Sequence, residues 1–443
     1  MHPYTLRAAR WPLALSLVVV AACADDPPTT APNVPPGSVT RQALDGNVIL
    51  VTNASGANVP GSLQWAVGMA GGTSVIQFDA GLAGDTIPLD ATLEPFPYIT
   101  IEGPADKGIT ITNSSGRIIR LRQGGRLRNV TLTGGSDGPG SAIWTQGPLT
   151  LEHSTVSNNH GSAAAIHGHE ITLVNSTVSG NSGSGPASGI SVASAGYITL
   201  INSTVAHNEG APGIGWLMSP GSTPLVTLRN SIVANNGSGT RNCDSWLLFD
   251  HQGMNISSDS TCGVSTALIV ANPMLLGLAD NGGPTATEAI HHQSPAFNGG
   301  VSCSVTVDQR YVSRGTSCDI GAFEFTDFTV VTLTIDANAT AAANGTSTVT
   351  GTVRCSRAGD QFGVNVELEQ QQKVGKTTTL VRGTGGTAVT CTTSTQPFSA
   401  SVTPSTGAFV AGTATASAST NNTPAWVTPS AASRAVKLVR PRR

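Results

Sequence analysis

The chain has 443 residues, 51 of them glycine and 26 proline, with 11 % charged residues and a formal net charge of -3. That length suits two or three domains. So much glycine argues against a helical protein, and so small a charge argues against a nucleic-acid partner. Abundant Gly, Ser, Thr, Asn and Val predict an all-β protein of short strands joined by turns.

The chain begins with a positive stretch, Arg7 and Arg10, followed by a mostly apolar run from Trp11 to Ala22 that is too short to span a bilayer. The run ends Val20-Ala21-Ala22-Cys23, which resembles the lipobox of bacterial lipoproteins. The resemblance implies a signal peptide over residues 1–22 and a lipidated Cys23 as the new N-terminus. Ala24 after the cysteine is similar to sequences sorted to the outer membrane. Residues 23–45 include a Pro/Thr-rich stretch, Asp25 to Ser38, that predicts a stiff, extended tether.

Residues 46–326 alternate apolar and polar positions over short stretches, as half-buried strands do. Strands are predicted at Asn47–Val51, Ser74–Phe78, Thr86–Leu89, Ile99–Glu102, Ile109–Thr112 and Ile118–Leu121. Between the first two, Ser62 is a candidate N-cap, and Leu63, Ala66 and Val67 share one helical face. A short helix there would cover the open end of a strand stack.

A phrase then repeats: Leu127-Arg-Asn-Val-Thr-Leu, Leu151-Glu-His-Ser-Thr-Val, Leu173-Val-Asn-Ser-Thr-Val, Leu200-Ile-Asn-Ser-Thr-Val and Leu228-Arg-Asn-Ser-Ile-Val. The leading leucines step by 24, 22, 27 and 28 residues. Such a period marks a stacked repeat, and no amphipathic helical pattern fits between copies. Each copy reads as one coil of two or three strands, stacked in parallel register. Leu151, Leu173, Leu200 and Leu228 would form one inward column, and Val156, Val178, Val205 and Val233 a second. Asn129, Asn175, Asn202 and Asn230, with His153 substituting once, would stack at a corner as a structural ladder, tolerating left-handed backbone and bonding amide to amide. A second polar corner would hold Asn159, Asn181, Asn208 and Asn236.

With ITIEGP, ITITNSSGRIIRL and LRNVTLTGG, the sequence resembles the opening of bacterial right-handed parallel β-helix proteins of the pectin-lyase-like fold. The closing stretch, Ala271-Asn-Pro-Met-Leu-Leu-Gly-Leu-Ala-Asp-Asn-Gly-Gly-Pro284 with Ser294-Pro-Ala and Cys318-Asp-Ile-Gly-Ala-Phe-Glu324, resembles choice-of-anchor Q domain proteins. These are exported β-helix proteins with varied C-terminal anchors, and the resemblance implies no catalytic set. Physically the stretch reads as a closing cap, with Asp308, Arg310, Asp319 and Glu324 clustered around a 303–318 bridge.

Residues 327–443 lose the phrase. Strands are predicted at Val330–Asp336, Thr346–Val353, Gln361–Gln370, Phe398–Val402, Ala408–Ala418 and Ala435–Val439, a small immunoglobulin-like β-sandwich. Only Trp426 is available to sit beside its disulfide as the core Trp of that family does. The cluster Lys437, Arg440, Arg442 and Arg443 reads as a solvated tail. Beyond Cys23, each pair of neighbouring cysteines falls inside one module, so the expected bridges are Cys243–Cys262, Cys303–Cys318 and Cys355–Cys391, formed in an oxidising envelope. No CxxC occurs, and neither a metal nor a cofactor is expected.

One cluster carries possible chemistry: Glu152, His153, His160, His167, His169 and Glu170 lie in neighbouring coils and would form an acid–base or metal site if their corners aligned. Other acids and bases are scarce there. The sequence therefore favours a lipid-anchored structural or binding protein of the cell envelope, adhesin-like, monomeric and held at the membrane by its lipid. It would recognise a glycan or a cell-surface protein. The alternative is a polysaccharide lyase or glycoside hydrolase acting on acidic polysaccharide, with Glu152, His153, His167, His169 and Glu170 as its groups.

Overall fold

The computed structural model describes residues 48–217, 223–239, 241–326, 328–423 and 427–441. The expected signal peptide, Cys23, the tether, Trp426, Arg442 and Arg443 lie outside the described residues.

The chain from Val48 winds into a parallel β-solenoid with three strand faces. The first face runs from Val48–Val51 through Ser74–Phe78, Ile99–Glu102, Gly125–Arg128, Pro148–Glu152 and on to Leu248–Gln252. The second face runs from Thr86–Pro88 to Leu268–Val270. The third is shorter and joins the first through the long strands Ile166–Val174 and Ile190–Ile201, which turn the corner between them. Every pairing on the three faces is parallel. The inward leucine column is continuous and in register: Ile49, Ile76, Ile101, Leu127, Leu151, Leu173, Leu200, Leu228. Val156, Val178, Val205 and Val233 stack on the second face, and Ile119, Ile143, Ile166, Ile190 and Ile214 on the third. Apart from Ile49, which is partly buried at the open end, these residues are almost fully buried. Burying each such side chain contributes about 1.5–3 kcal/mol.

A short helix forms between the first two strands of the first face. The helix Leu63–Met69 starts at Ser62, whose Oγ accepts from Trp65 N at 3.2 Å, and it buries Leu63, Ala66 and Val67.

Each letter of the phrase Asn-Ser-Thr-Val has its own role. Asn129, Asn175, Asn202, Asn230 and the substituting His153 all take positive φ, between 45 and 55°. That is the left-handed turn that carries the chain from first to second face. The serine donates to the carbonyl two residues back and accepts the backbone N–H of the preceding coil's serine, as in Ser154 N to Ser176 Oγ at 3.3 Å and Ser176 N to Ser203 Oγ at 3.3 Å. The valine fills the core, and the threonine points outward.

The first-corner asparagines do not bond to one another, contrary to expectation; Asn129 donates instead to the Gly103 carbonyl of the adjacent coil, and Asn175 and Asn230 donate to the carbonyls of Val307 and Val301. The amide-to-amide ladder is at the second corner. Asn159 Nδ2 donates to Asn181 Oδ1 at 2.9 Å, Asn181 to Asn208 at 2.8 Å, Asn208 to Asn236 at 2.9 Å, and Asn236 to Asn242 at 3.1 Å. All five are wholly buried.

Residues 271–325 do not cap the end of the solenoid as expected. They fold back along the second face as a lateral strap. Strands Leu275–Ala279 and Thr287–Ile290 pair antiparallel, and residues 301–311 then descend beside the first corner. Val301 bonds Asn230, Val307 bonds Asn175, the Gln309 carbonyl meets His153 Nδ1, and Tyr311 OH donates to Asn129 Oδ1. The outward threonines hold the strap: Thr155 Oγ1 donates to the Ala286 carbonyl at 2.6 Å and Thr177 Oγ1 to Gln309 Oε1 at 2.7 Å. Thr155–Ser157 and Thr177–Ser179 are therefore buried on both sides. Inside the strap, Arg310 pairs with Asp308 at 2.7 Å and Arg314 with Glu324 at 2.9 Å, with Asp319 beside them.

Cys243–Cys262, Cys303–Cys318 and Cys355–Cys391 are all bridged. The first holds a loop over the last coil, both sulfurs in the core.

From Thr329 a second core forms between mostly antiparallel strands, with the parallel pairings Thr329–Ile335 with Val427–Thr428 and Asn338–Ala341 with Ala431–Val439. Asn338–Ala341 pairs both with Ser347–Cys355 and with Ala431–Val439, so the sandwich closes into a barrel-like ring. The strand Thr377–Thr390 was not foreseen. Gly383 and Gly385 break its alternation, and a Cβ at Gly385 would lie 2.1 Å from the Ser401 carbonyl.

Candidate functional site

The six expected site residues do not converge. Glu152 closes a first-face strand and pairs with Arg126. Glu170 aligns with Pro148 at the opposite end of that same strand pair, which puts the two acids roughly 13 Å apart along the sheet. His153 is buried at the first corner, and burial lowers its pKa. His160 lies on a different corner, exposed, with Nδ1 2.7 Å from Ser182 Oγ. His167 is buried on the third face, 2.8 Å from Ser191 Oγ, and its pKa is also lowered by burial. His169 is exposed beside Glu170. Successive residues of a coil point to different faces, so nearness in sequence did not become nearness in space. Among the described residues no group of three or more His, Cys, Asp or Glu is placed to hold a metal ion.

A groove of about 370 Å³ lies instead on the first face, where the strap tip overhangs the early coils. Its floor is an outward column set by strand register, with Gln77, Glu102 and Arg128 on successive coils, and Glu152 continues that column on the next coil. The wall is Tyr311, and Phe78 and Pro104 supply apolar surface. Glu102 accepts from Gln77 Nε2 and from Arg128 Nη1, both at 3.2 Å. Arg128 Nε donates to Tyr311 OH at 3.3 Å, and Tyr311 OH donates to Asn129 Oδ1 at 2.7 Å. Tyr311 stacks on His153, with ring centroids 4.1 Å apart and planes 12° apart. The result is a fixed fork of donors and acceptors beside an aromatic ring. Beyond it the same face continues as a half-exposed row of in-register hydroxyls: Thr150, Thr172, Thr199 and Thr227.

A depression of about 390 Å³ on the sandwich is lined by alanines, serines and Glu367, so it offers far less chemistry. The sequence reading missed Gln77, Glu102, Arg128 and Tyr311. The first three were recoverable by following the position after each leading leucine back along the register. Tyr311, arriving from more than 180 residues downstream, gave no local signal.

Residues 98–283 match the family described as right handed beta helix region. With the parallel register, this makes the solenoid a right-handed parallel β-helix. Among solved structures, the tailspike protein of Acinetobacter phage vB_ApiP_P1 is similar at 11 % identity, over 82 % of each chain, with a TM-score of 0.22. No curated protein matches the sequence.

Proposed function

We propose that this chain is an exported, lipid-anchored structural and binding protein of the bacterial cell envelope, adhesin-like, which holds a glycan on the first face of its β-helix. The observation that carries the reading is the groove formed by Gln77, Glu102, Arg128 and Tyr311, with the threonine row farther along the same face. Sugars present hydroxyls on a ring with one apolar face. Planar forks such as Arg and Gln, next to an aromatic wall, match that chemistry. Stacked coils repeat every ~4.8 Å, so the hydroxyl row extends the contact along a chain of sugars. The groove's two charges are tied to each other, Glu102 to Arg128, and the next acid on the column, Glu152, is tied to Arg126. This favours holding a ligand over transferring a proton. Export is supported by three disulfides and by the Ala21-Ala22-Cys23 sequence.

Glycan-array binding of the full chain tests the reading. Retention of defined oligosaccharides, lost in Arg128→Ala, is expected. Release of reducing or unsaturated ends from pectin, alginate or chondroitin would establish the alternative, a lyase or hydrolase.

A further inference from the structure

The strap is fastened by an unusual concentration of buried ionisable groups. Asp308 and Asp319 are wholly buried, and Glu324 and Arg314 nearly so. Arg310 Nη2 and Nε both bond Asp308 Oδ2, and Arg310 lies 3.7 Å over the Phe323 ring. Arg314 bonds Glu324 and the carbonyls of Asp319 and Gly321, and reaches Asn175 of the coils at 3.5 Å. Asp319 accepts backbone N–H groups from Asn298 and Phe325. Three carboxyls thus face two guanidiniums in a water-poor site. With all five ionised, one negative charge is unmatched, and burying an unmatched charge is costly. Tyr311, the wall of the groove, directly follows Arg310, and its backbone N–H donates to the Asp308 carbonyl.

We propose that the strap is a proton-dependent latch: when the buried Asp319–Glu324 carboxyl pair holds one proton the strap is docked and Tyr311 completes the groove, and loss of that proton loosens the strap and opens the wall. Burial, and then Glu324, push Asp319 up to about 7, and burial raises Glu324 as well. An undocked Asp319 returns to the ordinary carboxylate range near ~4. The docked form therefore takes up a proton between those values, and its stability falls as pH rises toward and through 7. The charged groups acting on Asp319 are Glu324 and Arg314, with Asp308 and Arg310 completing the cluster. Elsewhere along the strap, two histidines of the coils face it. His207, beside Glu288 at 2.9 Å, is raised by that carboxylate. His153, against the Gln309 carbonyl with Arg128, Glu152 and Asp308 nearby, is lowered by burial. Their shifts are opposite, so across the same pH interval they act against each other, and the cluster sets the sense.

The consequence for binding rests on the groove reading above; the latch itself does not. Hydrogen exchange of the full chain at pH 6 and pH 8, corrected for the intrinsic rate, reads the latch without any ligand. Protection of residues 301–325 is expected to fall about tenfold, the change that a single group titrating near the middle of this interval gives. Protection in the coils over residues 148–257 stays constant. Asp319→Asn flattens the difference. Glu324→Gln, which removes the neighbouring charge, moves the midpoint to lower pH and provides the check if Asp319→Asn does not fold. Equal strap protection at both pH values, or simultaneous loss in strap and coils, overturns the proposal. A pH-dependent strap in a chain that retains no glycan would leave the latch standing and remove the groove reading.

Discussion

Tyr311 lies flat against His153, 158 positions earlier in the chain, while its hydroxyl bonds Asn129 one coil below. One aromatic ring thus joins the strap tip to two consecutive coils. Tyr311→Phe keeps the ring stack and loses the bonds to Asn129 and Arg128. It is expected to cost about 1 kcal/mol in chemical denaturation. Tyr311→Ala is expected to weaken glycan retention at least as much as Arg128→Ala.

The second-corner ladder is continuous, so removing a middle rung orphans its neighbours. Asn181 donates to Asn208, Val156 and Ser179 and accepts from Asn159. Asn181→Ala should cost about 2–4 kcal/mol, the range for stranding buried polar groups. A measured cost near zero would show that the ladder contributes little.

At the first corner the amides are unequal. Asn175 bonds the Val307 carbonyl, whereas neither side-chain atom of Asn202, although buried, meets a partner among the described residues. Glycine fits the left-handed turn at both positions. Asn202→Gly is therefore expected to be close to neutral and Asn175→Gly destabilising, by about 1 kcal/mol or more. Equal losses at the two sites in thermal unfolding would contradict this assignment.

His153 is the one histidine in a column of asparagines, and burial lowers its pKa. A lowered histidine costs stability as pH falls through the unfolded value near ~6.5. His153→Asn restores the repeat residue at the same left-handed turn, so the variant should lose less stability than the parent between pH 7 and pH 5. Parallel pH–stability curves would count against it.

Reduction of Cys243–Cys262, a separation of 19 residues, should cost about 3 kcal/mol in a chain-entropy account. The damage should start at the last coil. Exchange should rise first around Leu248–Gln252 and leave Pro148–Glu152 protected.

The periodic part of this protein was legible because each coil repeats one local rule. A leucine, a valine and a left-handed asparagine recur at steps that only stacking explains, so the register, the inward columns and the short helix followed from the sequence. The strap was not legible. Its grip uses threonines that read as ordinary strand residues, and its partners lie far off in the chain, 71 positions for Asn230 and Val301 and 131 for Thr155 and Ala286. The same distance hid the groove, since Tyr311 belongs to a segment that resembled a terminal cap. The supposed cluster from Glu152 to Glu170 misled for the opposite reason. Those residues are near in sequence, and a winding chain distributes such neighbours around its circumference.

The strap touches four of five consecutive coils, at Asn230, Asn175, His153 and Asn129, with an unbroken run of eleven residues, Val301 to Tyr311. That run acts as a ruler. A solenoid without it could gain or lose whole turns and simply become longer or shorter, its identical layers closing up again. Here a deletion of one turn between Asn129 and Asn230 would leave Tyr311 overshooting its place, and an insertion would leave it short. The height of the column in this region is therefore fixed by a segment that is not itself part of the repeat.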